Sequence, residues 1–490
     1  MDQELKQSKK GLDEFYPLIP PHAFANLKWD DQEEKIVYLV KEPDLSDSEE
    51  RKLEKIREDV IEKLEMDLAE VKEKREPEEY IEEKADTTLS KFSMGLSSEA
   101  REKIFYYLKR DLAGLGKLEP LMNDPNLEEV SCDGTEAPVF AFHREYGSLE
   151  TNVWYEDSEE LNSFISKLAQ RTGRHISAAE PMLEGSLPDG SRLHCTYKGE
   201  VTRKGPTFTI RKFREDPLTP IDLIESGSIN HKVLAFFWHL VENGYSALVS
   251  GGTATGKTTM LNVISLFIPP GDKIVSIEDT PELRLPHKNW LPSVSRPGYG
   301  PEDYGEIDLF DLVKASLRQR PDYVIPGEVR GEEAYVLFQA MATGHAGLAT
   351  IHAENVSALK NRLLTPPVNL SASLLTSLDA VIFLGFSDVD GEKVRRMKHV
   401  TEITGMNEDE EVTTQPVFSY QPGEDTHVFN GDSAILREMA RRKGEDVDDI
   451  KNTSVWQELK DKTEFLKTVQ QKGVEDIDEF AEYLTEYRQD

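Results

Sequence analysis

Cysteine is almost missing from this chain. Its 490 residues hold two, Cys132 and Cys195, which excludes a disulfide framework and any four-thiolate zinc site and fits a reducing compartment. Long apolar runs are missing as well: residues 233–240 and 380–386 fall far short of the ~20 needed to span a bilayer. The opening Met1-Asp2-Gln3-Glu4-Leu5 lacks the basic stretch and apolar core of a secretory signal. An intracellular, soluble chain is expected, one able to dock on a membrane protein. Positive charge is scarce: 58 Lys and Arg stand against 92 Asp and Glu, a formal net charge of −34. That excludes the basic stripe of a general nucleic-acid binder and argues against attachment to anionic lipid. The acids are spread through every region, a distribution suited to solubility in concentrated salt, so a halophilic source is expected. The plainer reading is solvated helix faces in an ordinary acidic protein. With 38% apolar residues, the chain still has the mass for sizeable cores.

The length implies more than one domain. Residues 1–88 read as a charged helical segment. Within it, 46–73 forms a long helix, with Ser46 or Asp47 as N-cap and Leu53, Ile56, Val60, Ile61, Leu64 and Leu68 at three- and four-residue spacing. The run 72–86 is solvated and suits a hinge or linker. Residues 89–213 mix helical stretches (99–110, 158–171) with strand-like pieces (139–142, 193–197, 207–210), the pattern of an α+β domain. Pro217 and Pro220 mark a linker at 214–222. Over 223–386 the text becomes regular. Short β-rich runs at 247–249, 273–277, 323–325, 348–351 and 380–384 are mostly separated by helical stretches, which predicts a parallel sheet in an α/β domain. Residues 387–490 read as an acidic helical region, with amphipathic helices at 434–442, 454–470 and 476–487.

The strongest chemical signal is Gly251-Gly252-Thr253-Ala254-Thr255-Gly256-Lys257-Thr258, a complete G-x-x-x-x-G-K-T with a strand before it and a helix, opening at Thr259, after it. Glycines let backbone N–H groups converge on phosphate oxygens, and the helix N-terminus adds partial positive charge. Lys257 is placed to reach the β- and γ-phosphates and the Thr258 hydroxyl to ligate Mg²⁺. The nucleotide-binding set is therefore residues 251–258 with Thr259. Strand 273–277 ends in Glu278-Asp279-Thr280-Pro281-Glu282-Leu283. That puts an acid at the carboxyl edge of a parallel strand, where ligands bind in open α/β sheets and a carboxylate can orient the attacking water. Strand 323–325 runs through Pro326-Gly327 into Glu328, a second acid at that edge, suited to the outer shell of Mg²⁺ or to water positioning. His345 and His352 bracket strand 348–351 and are read as γ-phosphate sensors; a satisfied core or surface role is the ordinary alternative.

These residues carry a resemblance. The P-loop, Ile277-Glu278-Asp279-Thr280-Pro281-Glu282-Leu283, the stretch Leu317-Arg318-Gln319-Arg320-Pro321-Asp322 with Gly327-Glu328-Val329-Arg330, and Thr343-Gly344-His345-Ala346-Gly347 through Thr350-Ile351-His352-Ala353 resemble the Walker A, Asp, Walker B and His boxes of the secretion-ATPase superfamily. Upstream, Leu187-Pro188-Asp189-Gly190-Ser191-Arg192 and Phe208-Thr209-Ile210-Arg211-Lys212-Phe213-Arg214 resemble that family's N-terminal domain. The wording of the first two boxes, and the absence of a tetracysteine insert, resemble the archaeal branch: archaellum motor and archaeal type IV pilus assembly ATPases. Pro326 departs from the family's usual aliphatic residue, and a proline cannot donate to a ladder, so that strand is expected to end by Ile325.

The resemblance implies an α/β fold: a RecA-like P-loop domain with an N-terminal α+β domain and helical N- and C-terminal extensions. It implies ATP and Mg²⁺ as nucleotide and cofactor, and hydrolysis in a homo-hexamer powering assembly, or rotation, of an extracellular filament. The partners implied are a polytopic membrane platform protein and accessory cytoplasmic motor proteins, at the inner face of the cell membrane. Its N-domain arginine fingers fall on Arg192, Arg211 and Arg214. A nucleotide-gated scaffold of low turnover and a nucleic-acid motor on the same core are the alternatives. Phosphate release discriminates the first, and binding of single-stranded DNA at low salt the second.

Overall fold

A computed structural model describes residues 10–67, 77–91, 95–213, 217–296, 298, 304–474 and 476–489. The chain divides into two compact units, residues 1–213 and 214–490.

The first unit is built on a nine-stranded sheet in the order β1-β2-β3-β6-β5-β4-β9-β8-β7. Its strands are β1 (Asp13–Ile19), β2 (Ala23–Asp30), β3 (Lys35–Lys41), β4 (Leu127–Cys132), β5 (Phe140–His143), β6 (Gly147–Thr151), β7 (Met182–Ser186), β8 (Arg192–Thr196) and β9 (Thr207–Arg211). All neighbours pair antiparallel except β3 and β6. This corrects the expectation of a helical segment over residues 1–88, because residues 13–41 form three strands of the domain sheet. Alternation explains it: Ala23, Ala25, Leu27 and Trp29 are buried along β2, and Ile36, Tyr38 and Val40 along β3, the period-two pattern of a half-buried sheet. Tyr16 and Tyr38 both donate to the Asp124 carboxylate, at 2.7 and 2.5 Å, which ties the added strands to the rest of the sheet. Helix Asp47–Asp67 packs with helices Pro77–Lys91 and Ser98–Leu108 around Ile56, Val60, Ile81, Ile104 and Leu108. Leu68 and the remainder of the expected long helix lie outside the described residues.

The second unit holds a further nine-stranded sheet, β12-β11-β13-β14-β10-β15-β16-β17-β18. Six strands are parallel: β10 (Ala247–Gly251), β11 (Ile274–Glu278), β12 (Trp290–Val294), β13 (Tyr323–Pro326), β14 (Ala346–Ile351) and β15 (Ala380–Val389). Alternate residues enter opposite cores. Ala247 and Val249 pack with helices His231–Glu242 and Lys257–Ser265, while Leu248 packs with helices Glu333–Ala342 and Val356–Leu364. A strand buried on both faces, with helices in two layers, is the RecA-like α/β arrangement of a parallel sheet.

Two expectations are corrected here. The C-terminal region is not wholly helical. After β15 the sheet continues antiparallel through β16 (Glu392–Met406), β17 (Val412–Gln421) and β18 (Thr426–Phe429), and only then come helices Ala434–Arg442, Ser454–Lys472 and Ile477–Gln489. Asp390 and Gly391, at φ of 53° and 88°, make the turn between β15 and β16, where Asp-Gly meets the positive φ that a tight hairpin requires. Strand β13 also includes Pro326, paired with Ile277. Proline is tolerated as the last residue because the ladder is taken up by the next amide: Gly327 N–H donates to the Ile277 carbonyl at 2.8 Å.

Candidate nucleotide site

The parallel ladder brings the carboxyl ends of β10, β11, β13 and β14 to one edge, with Ser250 opposite Ile351 and Ile277 opposite Pro326.

Gly251 ends β10, and a Cβ there would stand 2.6 Å from Thr255 Oγ1 and 2.8 Å from the Leu384 carbonyl, so only glycine lets the loop fold back this tightly. Ala254 (φ 60°) and Gly256 (φ 89°) are left-handed. Gly256 is the N-cap of helix Lys257–Ser265 and supplies no side-chain cap, which leaves the first amides of the helix to face a ligand. Thr255 Oγ1 donates to the Gly252 carbonyl at 2.9 Å and Lys257 Nζ to the same carbonyl at 2.8 Å. Burial pushes the Lys257 ammonium below its ordinary range, Glu328 and Glu282 act the other way, and Arg362 adds to the lowering. A tight loop of this shape with a cation over it, and a hydroxyl on Thr258 in the first helical turn, fits a nucleotide polyphosphate with Mg²⁺.

Glu278, the last residue of β11, is buried, at 4% exposed. Its Oε1 accepts from the Glu282 and Leu283 amides at 2.9 and 3.1 Å, so the Thr280-Pro281 turn orients the carboxylate. Gly327 passes close by, 3.1 Å from Glu278 Cγ measured at the Cβ it lacks. Glu328 follows, half-buried. Its segment is fastened to β14 by Thr350 Oγ1 donating to the Gly327 carbonyl at 2.7 Å and Val329 N–H donating to the Thr350 carbonyl at 2.9 Å. The buried Glu333 accepts from the Arg330 and Gly331 amides at 2.6 and 2.7 Å, while the Arg330 guanidinium pairs with Asp279. His352 directly follows β14.

Lys257, Glu278, Glu328 and His352 are thus brought to one edge. His345 is not, which corrects its assignment beside the same nucleotide. It precedes the amino end of β14, and at about 3.3 Å per residue that strand is roughly 20 Å long, so the two histidines mark opposite edges of the sheet. Arg192 and Arg211 belong to the first unit, where they are directly opposed on β8 and β9. Both are exposed, and Arg211 Nε lies 3.8 Å from Glu129 Oε2. Arg214 lies outside the described residues.

Three residues at the edge were not identified from sequence. Arg362, on helix Val356–Leu364, donates from Nη1 to the His352 carbonyl at 3.1 Å. Glu354 brings its carboxylate within 3.6 Å of the Cβ that Gly252 lacks. Ser250 Oγ donates to the Ala353 carbonyl at 2.6 Å, tying the segment after β14 to the root of the loop. Asn355 caps that helix by accepting from Ala358 N–H, and this Asn was the one sequence signal that a helix returning Arg362 to the edge begins there.

The family model described as Type II/IV secretion system protein matches residues 112–483. Uncharacterized protein MJ0900 of Methanocaldococcus jannaschii is 43% identical over 362 residues, 73% of this chain and 65% of that protein, so the chain spans less than two thirds of this relative's length. Uncharacterized protein MJ1287 of the same organism is 45% identical over 271 residues, 55% of this chain and 98% of that protein. Among solved structures, the VirB11 ATPase from the Brucella suis type IV secretion system, in complex with sulphate, is 25% identical, with a TM-score of 0.29, over 58% of this chain and 92% of that one.

Proposed function

The chain belongs to the type II/IV secretion system protein family, and from that premise we propose that it is a Mg²⁺-dependent ATP hydrolase acting as a homo-hexameric motor. The observation that carries the reading is Glu278, a buried carboxylate whose Oε1 is fixed by two amides, at the same sheet edge as the P-loop lysine.

The chemistry follows from what each group can do. The loop amides and helix N-terminus hold the phosphates, and Lys257 offsets their charge. The Thr258 hydroxyl would hold magnesium, with Glu328 beside it, and the ion would supply neutralisation of phosphate charge. Glu278 orients a water for in-line attack on the γ-phosphorus and accepts its proton as the bond to the β–γ bridging oxygen breaks, leaving ADP and inorganic phosphate. His352 and Arg362 are suited to reading whether the γ-phosphate is present. Arg192 and Arg211 of the first unit, with Arg214, are the arginine fingers of this reading, cations whose bidentate grip on the γ-phosphate is lost on hydrolysis.

The motor assembles, or rotates, an archaeal extracellular filament, archaellum or type IV pilus, through a polytopic membrane platform protein and accessory cytoplasmic proteins. The archaeal relatives support this branch. The net charge of −34 supports a halophilic source and speaks against a nucleic-acid motor. No helix among the described residues is long and apolar enough to cross a membrane, and attachment to the inner face of the membrane runs through partners. Phosphate release by the full chain in Mg²⁺ and ATP tests the enzymatic part, with Lys257→Ala expected to retain less than about a tenth of the rate. Wild-type release no faster than that of the variant overturns it. Deletion in the native organism, scored for swimming and for surface adhesion, separates archaellum from pilus.

A further inference from the structure

The hairpin of β15 and β16 leaves the sheet at the P-loop. Gly251, the last residue of β10, is paired with Leu384, so the residues of β15 beyond it and their partners on β16 extend past the loop. Arg395 lies on that outer part, directly opposite Phe386. Its Nε donates to the Ala254 carbonyl at 2.9 Å, and its Cδ stands 3.9 Å from the Cβ that Gly256 lacks. The side chain therefore crosses the N-cap of the P-loop helix and lands on the apex of the loop. No described residue accepts a hydrogen bond from its Nη1 or Nη2, although the sequence carries 92 acids and Arg396 beside it is bidentate to Asp425 at 2.7 and 2.8 Å. A second cation lies on the same face, since Lys393 Nζ sits 4.3 Å from the Phe386 ring centroid.

A guanidinium anchored through one nitrogen on a phosphate-cradling loop presents its other two as a fork, the geometry that binds phosphate oxygens bidentately. We propose that Arg395 is a phosphate ligand of the P-loop, contributed from within the same unit by the β15–β16 hairpin, and that through it the hairpin responds to the bound polyphosphate. This rests on the nucleotide reading of the loop. It adds a residue that lies 137 positions beyond Thr258, outside the consensus that identifies a P-loop. Its partner chemistry is a polyanion rather than the base or ribose, because the Arg395 fork stands on the Ala254 carbonyl of a phosphate-cradling loop.

The test is equilibrium binding of ATP to the full chain in Mg²⁺, by calorimetry, for wild type, Arg395→Ala and Arg395→Lys, with inorganic tripolyphosphate as competitor. Removing a charge-assisted hydrogen-bonding group of this kind is expected to weaken ATP roughly ten- to hundredfold. Tripolyphosphate should weaken in parallel, and the lysine variant should recover part of the loss while lacking the fork. Unchanged thermal unfolding of the alanine variant separates this from a folding defect. If the variant instead unfolds early, Arg395→Lys, which keeps stem and charge, carries the comparison. Wild-type affinity for both ligands in both variants overturns the proposal. So does weakened ATP with unchanged tripolyphosphate, which would move the contact to the nucleoside. A wild-type chain that binds neither ligand overturns the nucleotide reading itself, a different failure from the loss of Arg395's role alone.

Discussion

At the scale of single residues, the site is a contest between acids and a few cations. Glu278, Glu282, Glu328 and Glu354 share the edge with Lys257 and Arg362, and it is burial, first, that lowers the Lys257 pKa. A polyphosphate adds negative charge to this set, so its binding depends on cations that a neutral variant cannot replace. Glu278 is different. Its Oε1 is held by two amides, so Glu278→Gln keeps the shape and removes the proton acceptor. ATP affinity should stay within a few-fold of wild type while turnover falls by roughly a hundredfold or more. Single-turnover phosphate release alongside binding measures both. A collapse of affinity with unchanged saturated turnover would make Glu278 a binding group and pass the base to Glu328.

At the scale of elements, two junctions set what the site can tolerate. The first is the return of β10 into its helix at Gly251. A methyl group there meets Thr255 Oγ1 at 2.6 Å and the Leu384 carbonyl at 2.8 Å, both within the loop or its neighbouring strand. Gly251→Ala should cost about 1–3 kcal/mol of stability and weaken nucleotide binding, checked by denaturant unfolding and calorimetry. Wild-type behaviour in both would mean the loop can open without loss. The second is where β16 meets helix Ala434–Arg442. Glu402 is fully buried and accepts from Ser433 Oγ at 2.5 Å and from the Ala434 amide at 2.6 Å. Burial nonetheless pushes its carboxyl up to about 7. A folded pKa above the unfolded one means the folded state binds the proton more tightly, so this group's contribution is complete below about pH 4.5 and is lost as pH rises through about 7. Glu402→Gln mimics the protonated form and should flatten the fall in stability between pH 5 and 8 (about two denaturation series). An unchanged slope would assign the pH dependence to other carboxyls.

At the scale of the whole molecule, the proposed motor must couple one unit to the other. Arg192 and Arg211 precede the Pro217–Pro220 segment and the P-loop follows it. In the proposed motor they are the residues through which the first unit senses nucleotide state. Arg192→Ala or Arg211→Ala should lower turnover more than ATP affinity, and should blunt the difference in small-angle scattering between ATP-analogue and ADP states. An undiminished difference with normal hydrolysis would leave both as ordinary surface arginines.

Sequence by itself determined what depends on neighbours along the chain. Gly251 to Thr258 announces its own loop, because phosphate-cradling needs those glycines at that spacing. The acids of β11 and β13 were legible because a parallel strand delivers its last residue to a known edge. Tertiary structure decided what depends on pairing. His345 precedes β14 and His352 follows it, so the parallel direction of that strand, confirmed by its pairing with β10, puts them at opposite edges. In residues 13–41 the small alanines at two buried positions weaken the apolar signal of β2, whereas β3, with Ile36 to Val40, carries a plain β-rich run; that both join the domain sheet follows from the pairing of β3 with β6. The β15–β16 hairpin did carry a local mark in Asp390-Gly391. Even so, that its outer arm would bring Arg395 onto Ala254 follows from β15 pairing beside β10, a register that the sequence contains but does not display.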